Sequence, residues 1–354
     1  MASPQAHPTQ LSPAWAAIAS VGQGLRLRHP ILTVTPAGRP SAVWEADKSI
    51  LVSHCLNQVW QPPLRLLGGM QPVITHAGGE SLFVAFANNY SGRFEIYFTA
   101  WEGGRWSLPV NVSYTAGDSV QPVLVAAADG ARRIVWEDRS PGYPVIYHAW
   151  RRSDWRWETR PVPNSAGRRP AACLDADGRL HVAFQTGDDN LSSGNVLYTA
   201  LQNGVWTPPQ LISSGSSPAA GVAIGVDPGG MVHAAWRERR PEADVICYAV
   251  GRPGVWSTAQ VISPLLDRGA FPDLVVAGDG RVHVAWDHTE VLEHALRPVG
   301  GASWAPIEMA AAEFYRLGRP SLALDAAGKL HSLWVLQKPE GQGELRYTVR
   351  QAVS

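Results

Sequence analysis

Four histidines, His181, His233, His283 and His331, recur at spacings of 52, 50 and 48 residues, each three residues before an aromatic side chain. Histidine can ligate a metal or move a proton near neutral pH. A zinc site, however, draws its ligand atoms to within about 2 Å of one ion. Histidines spread over separate copies of a repeated unit converge only if all point into a common axis. The same position elsewhere holds Ser41, Phe83 and Arg133. The predicted role is therefore a hydrogen bond to the neighbouring turn, and neither a metal nor a cofactor is expected.

Two other sets could bind a polar ligand. Directly after the repeated aromatic stand Glu45, Glu137, Gln185, Arg237 and Asp287. Directly before a recurring proline stand His29, Gln71, Gln121, Arg169 and Arg319. Carboxylates, amides and guanidinium groups gathered at one mouth offer hydrogen bonds and charge to a polar molecule. A water-filled channel would carry polar groups in any case. Phosphate loops, G-x-S-x-G elbows, H-E-x-x-H and paired-cysteine motifs are absent from the sequence. From these sets the expected ligand-binding residues are Glu45, Gln71, Gln121, Glu137, Arg169, Arg237, Asp287 and Arg319, with no catalytic residue assigned.

The elements that must hold these residues are repeats. DADGRLHVAF (175–184), DPGGMVHAAW (227–236), AGDGRVHVAW (277–286) and DAAGKLHSLW (325–334) are variants of one phrase. Degenerate copies end on Trp44, Phe86 and Trp136. Each unit has an apolar run often opened by proline, a glycine turn six residues before the aromatic, and a second strand ending on the aromatic. A variable loop, a third strand and a tryptophan-marked fourth strand follow. Proline suits the start of a strand, where its missing N–H costs no ladder bond, and Asp-Gly or Gly-Gly marks a hairpin. Four strands at a period near fifty predict an all-β, seven-bladed β-propeller with antiparallel four-stranded blades.

The seventh unit ends at ELRYTVRQAVS (344–354) without a tryptophan strand, and AWAAIASVG (14–22) supplies a spare one. Residues 14–22 are thus expected as the outer strand of the blade over 319–350, closing the ring and removing open sheet edges. Residues 1–13 read as a disordered tail, and 14–354 as a single domain. Twelve of the fifteen tryptophans fall at repeat positions and read as packing residues; Trp101, Trp150 and Trp155 are the others.

Thirty basic and thirty acidic residues leave no bulk charge for nucleic acid or acidic lipid. No apolar run reaches the roughly twenty residues of a membrane span, and no signal peptide is evident, so a cytoplasmic location is expected. Cys55, Cys173 and Cys247 fall in strands of different blades and read as buried thiols. A monomer is expected unless the chain joins a complex.

The run VIYHAW (145–150), with the D-x-x-G-x-x-H-V-A-W phrase, resembles the repeats of bacterial sialidase-like, or BNR-like, propellers over residues 14–350. The resemblance implies architecture. Sialidases of that family carry S-x-D-x-G-x-x-W boxes, six blades and three arginines for the substrate carboxylate, and none of these is matched. EFYRLGRPSL (313–322) is similar to the family's arginine-bearing segment, and that resemblance would offer Glu313, Tyr315, Arg316 and Arg319, which adds Tyr315 to the expected ligand-binding residues. The expected function is a non-catalytic binding propeller that presents a polar channel mouth to a protein partner, a carbohydrate or another polar small molecule. The alternatives are a lectin and a sialidase-like glycoside hydrolase. The second-to-third-strand loops differ in length and chemistry from blade to blade, which disfavours a lectin with repeated sites.

Overall fold

A computed structural model describes residues 7–352, apart from 78, 128–129, 152–155, 189, 267–270 and 302. Trp155, one of the tryptophans outside the repeat, lies outside the described residues. Seven antiparallel sheets follow one another around a central channel. The innermost strands are Arg28–Val34, Met70–His76, Ser119–Ala126, Arg168–Leu174, Ala219–Val226, Asp273–Val276 and Ser321–Leu324. They open blades 1 to 7, and each touches the next, the seventh meeting the first. The fold is the expected seven-bladed β-propeller.

Seven apolar clusters hold it, one at each junction between adjacent blades. The closing aromatics anchor them: Trp44, Phe86, Trp136, Phe184, Trp236, Trp286 and Trp334 are at most 1% exposed. Alternation along each second strand sends this ring and its i−2 neighbour toward one blade and the intervening residues toward the other. The third-strand ring of one blade also meets the fourth-strand tryptophan of the next edge-on, as in Tyr198–Trp256 and Tyr248–Trp304, both at 4.9 Å. The six turn glycines, Gly38 to Gly328, all have positive φ, the conformation these tight hairpins require.

The fourth strand is broken in blades 1, 2, 4 and 5. In blades 1 and 4 Pro62-Pro63 and Pro208-Pro209 lie at the break, where proline has no N–H for the ladder, whereas in blade 5 the break spans residues 257–259 without a proline. The tryptophan side keeps two paired residues, Val59–Trp60 and Val205–Trp206.

Ring closure follows expectation with its register extended. Ala19–Leu25 pairs antiparallel with Gln342–Arg350. Earlier, the Ala16 N–H donates to the Val349 carbonyl at 2.8 Å and the Gln351 N–H to the Ala14 carbonyl at 3.0 Å. Of the expected disordered tail, residues 1–6 lie outside the described residues, but the rest is docked. Leu11 bridges Met309, and the Ser12 N–H donates to the Met309 carbonyl at 2.9 Å. The outer edge of blade 6, Glu308–Ala312, offers unpaired backbone groups, and this stretch of the tail uses them.

The three cysteines are free thiols. Among the described residues no helix is long and apolar enough to cross a membrane.

Candidate functional site

Inner strands of five blades carry the same irregularity. Register shifts fall between Arg28 and Ile31, Met70 and Val73, Val120 and Val123, Arg168 and Ala171, and Ala220 and Ala223. At each bulge one residue has left-handed backbone: His29 (φ 48°), Gln71 (53°), Gln121 (56°), Arg169 (48°) and Gly221 (68°). A β-bulge re-aims a side chain. Left-handed backbone costs a residue with a Cβ about 1 kcal/mol. Four blades accept that cost and place a polar side chain at the channel. Blade 5 avoids it with glycine, where a Cβ would come within 3.0 Å of the Phe271 ring.

These residues line a channel cavity of about 430 Å³ together with Arg319 of blade 7 and Asp273 of blade 6. Burial lowers the pKa of His29 to about 4, with Arg319, Arg169 and Arg28 adding to the shift. The imidazole is therefore neutral at pH 7 and sits in a positive field. Burial raises the Asp273 carboxyl, while Arg319 and two backbone N–H donors oppose the rise. The mouth thus combines two arginines, a neutral histidine and two amides, with one carboxylate beside Arg319. Such a set can hold a polar ligand with an anionic group.

Side-chain acceptors also tie neighbouring blades together. Gln71 Oε1 accepts the Gln121 N–H at 2.8 Å, and Gln185 Oε1 accepts the Gly221 N–H at 2.8 Å. Asp273 accepts the Leu322 N–H at 2.7 Å, and Ser321 Oγ accepts the Leu32 N–H at 3.0 Å. Asp273 and Ser321 follow the strand-opening prolines, where blades 1 to 4 have Ile31, Val73, Val123 and Ala171. That change from apolar to polar was the available signal for Asp273, which the sequence reading missed.

The candidate residues separate into two groups. Gln71, Gln121, Arg169 and Arg319 line the channel. Glu45, Glu137, Arg237 and Asp287 are buried at 3–7% exposure and do not line it. Glu45 accepts the Gln71 N–H at 3.3 Å. Glu137 binds Arg139 at 2.9 Å. Arg237 lies over the Phe271 ring at 5.0 Å, near Asp244. Asp287 accepts the Phe271 N–H at 3.0 Å. The second strand is still paired on both sides at Glu45, Glu137 and Arg237, and with the third strand at Asp287, so the residue after the aromatic is an interior position, contrary to its expected place in a loop.

Tyr315 also lies away from the channel lining, its ring edge-on to Phe314 at 5.2 Å. Glu313 faces Arg346 at 3.5 Å. The segment is pinned by the Leu317 N–H to the Thr289 carbonyl and the Gly318 N–H to the Val335 carbonyl. It delivers only Arg319 to the mouth and does not assemble an acid–phenol–arginine centre there.

The repeated histidines take up the expected turn bonds in three blades. The Tyr198 hydroxyl donates to His181 Nδ1 at 2.6 Å, and His181 Nε2 donates to Asp175 of the turn at 3.3 Å. The same latch joins His233 to Tyr248 and Asp227, and His331 to Tyr347 and Asp325. In blade 6, His283 bonds His294 at 3.0 Å, and His294 bonds Glu308 at 3.2 Å. Among the described residues the grouping with most potential for a metal is His7, His288 and Glu293. There the imidazoles stack at 4.5 Å and 17°, and His7 Nδ1 bonds Glu293 at 2.7 Å. Lone pairs lie in the ring planes, so stacked rings do not aim at one ion. The contact reads as an anchor for the N-terminal segment.

No family model matches the chain, and no curated protein matches it. Solved structures do. An ulvan lyase of a polysaccharide lyase family aligns at TM-score 0.70 and 11% identity, over 93% of this chain and 94% of its own. An α-L-arabinanase from Penicillium chrysogenum, complexed with arabinobiose, aligns at TM-score 0.58 and 11% identity, over 95% and 98%. The six-bladed fucose-recognising lectin of Aleuria aurantia aligns at TM-score 0.51 and 11% identity, over 82% and 95%. At such identities the likeness shows the propeller fold. These neighbours include carbohydrate-binding and glycan-active proteins.

Proposed function

We propose that this protein is a non-catalytic binding propeller whose channel mouth takes a polar ligand with an anionic group, with acidic carbohydrates as the leading class. One observation carries this reading. Four inner strands adopt strained backbone to present His29, Gln71, Gln121 and Arg169 around the channel, and Arg319 joins them. A channel that merely had to be wet would not require left-handed histidine, glutamine and arginine. The carbohydrate class draws support from the neighbours, whose names describe action on, or recognition of, glycans. A sialidase-like ancestry fits the repeat but adds no activity, because Tyr315 and Glu313 stand apart from the mouth.

The test is a glycan array of neutral, uronate-bearing, sulfated and sialylated glycans, followed by calorimetry on Arg169→Ala/Arg319→Ala. Binding confined to acidic glycans and lost in the double variant is expected. Binding that survives the double variant places the site elsewhere. Release of a chromophore from a sialoside or another glycoside would make the protein a hydrolase.

A further inference from the structure

Blade 3 lacks the latch found in blades 4, 5 and 7. Where blade 4 has Asp175, His181 and Tyr198, strand pairing puts Ala127, Arg133 and His148. The replaced latch borders a cavity of about 670 Å³ between blades 3 and 4, on the hairpin face opposite the mouth. Its lining includes Arg133, His148, Trp150 and Arg160 from blade 3, and Leu201 and Trp206 from blade 4.

Three features suit a ligand. Arg133 is half-buried, and among the described residues no carboxylate is within ion-pair distance of it. Its neighbour Arg160 pairs with Glu158 on the outer strand and lies 5.6 Å from the centre of the Trp150 ring. His148 is 3% exposed, and its Nδ1 has no hydrogen-bond partner among the described residues. The imidazole is stacked on Trp150 and edged by Trp206, both at 5.0 Å. A buried polar atom without a partner is costly, and the blade-4 solution, a tyrosine hydroxyl, was available to this chain.

We propose that this cavity is a second binding site, for a carboxylate-bearing sugar ring of hexuronate type. Arg133 and Arg160 hold the carboxylate, and the indole rings of Trp150 and Trp206 face the ring's apolar C–H surface. His148 Nδ1 meets a hydroxyl or the water that bridges to it. A neutral sugar leaves Arg133 uncompensated, and a bare carboxylate leaves the tryptophans uncovered.

The experiment uses the full chain with Arg169→Ala/Arg319→Ala, so that the channel mouth does not contribute. Calorimetric titration with D-glucuronate is expected to show one site with Kd on the order of 1 mM or tighter, and D-glucose and acetate each at least about tenfold weaker. Installing Ala127→Asp, Arg133→His and His148→Tyr together rebuilds the blade-4 latch and removes the Arg133 guanidinium and the unpartnered imidazole nitrogen from the cavity. This variant should melt no lower than its parent and lose glucuronate binding. Arg133→Gln, a milder change, should weaken binding about tenfold. No heat with glucuronate up to about 10 mM, equal binding of glucose or acetate, or full binding by Arg133→Gln would each overturn the proposal. The channel-mouth reading stands or falls separately, on the array result with the unsubstituted chain.

Discussion

Arg350 and Glu308 join blade 7 to blade 6 through a two-point pair: Arg350 Nε donates to Glu308 Oε2 at 2.7 Å, and a terminal guanidinium nitrogen donates to Oε1 at 2.6 Å. The Trp15 indole N–H donates to the same carboxylate at 3.1 Å and His294 bonds it at 3.2 Å. The N-terminal segment, the last strand of the chain and blade 6 thus meet on one side chain at the ring's closure. Burial alone would raise the Glu308 carboxyl, but hydrogen bonds from Arg350 and His294 outweigh it and hold it far below the usual range.

Glu308→Ala should therefore cost about 2–3 kcal/mol, less than the figure for a fully buried pair because Glu308 is partly exposed. A carboxyl with a depressed pKa contributes stability above its unfolded pKa and loses it as pH falls. The wild-type advantage over Glu308→Ala should shrink below about pH 4.5. Urea melts of both proteins at pH 7 and pH 4 measure it, and an equal gap at both pH values contradicts the charge argument.

Deleting residues 1–25 removes the outer strand of blade 7 and Trp15, which is 9% exposed. The stripped edge of Gln342–Arg350 would then lie open. A melting temperature lowered by well over about 5 °C, with concentration-dependent aggregation, is expected in a thermal scan. An unchanged melting temperature would show that the N-terminal strand does not close the ring.

Trp286→Ala should destabilise by about 3–5 kcal/mol, as for other large core aromatics. It also removes the indole donor, at 2.7 Å, from the 1%-exposed Glu293. Asp287 differs from an ordinary surface acid. Burial raises its pKa to about 6, against the Phe271 backbone donor and the nearby Arg316 and Arg319. Between about pH 4 and pH 6 the folded state holds the proton more tightly than the unfolded chain, so this group's contribution falls as pH rises. Asp287→Asn keeps an acceptor for Phe271 and should gain about 2 kcal/mol at pH 7 but little at pH 4. Chemical denaturation across that range decides it.

The buried histidines act with the opposite sign. Burial, helped by neighbouring cations, lowers His148 to about 4 and His283 to about 2. Each contributes stability above its unfolded pKa of about 6.5 and loses it as pH falls toward 4. Melting temperature should therefore decline from pH 6.5 to pH 4, and His148→Gln should make that decline shallower. A scan of melting temperature against pH for both proteins checks it.

The latch predicts its own mutant. Tyr198→Phe leaves His181 Nδ1 buried without its 2.6 Å donor. A loss of about 1–2 kcal/mol is expected. Tyr147, on blade 3's third strand, packs against Trp136 at 5.9 Å and belongs to no such latch, so Tyr147→Phe serves as the control, with a cost within about 0.5 kcal/mol.

Periodicity by itself determined the blade count, the packing role of Trp44 through Trp334, and the joining of the chain's two ends. Those features depend on alternation and spacing, which are properties of the string. Four mouth residues were legible for a similar reason, since Gln71, Gln121, Arg169 and Arg319 precede a proline that marks the strand's start. Depth was not legible. Glu45, Glu137, Arg237 and Asp287 look like loop residues, but the second strand continues past its aromatic and encloses them. Only the tertiary structure decided that the mouth residues sit on left-handed bulges, that Asp273 and Ser321 tie inner strands together, and that blade 3 exchanges a filled latch for a cavity. Each depends on which side chain of one blade meets which atom of the next, and that pairing is set by the closure of the ring rather than by any local run of residues.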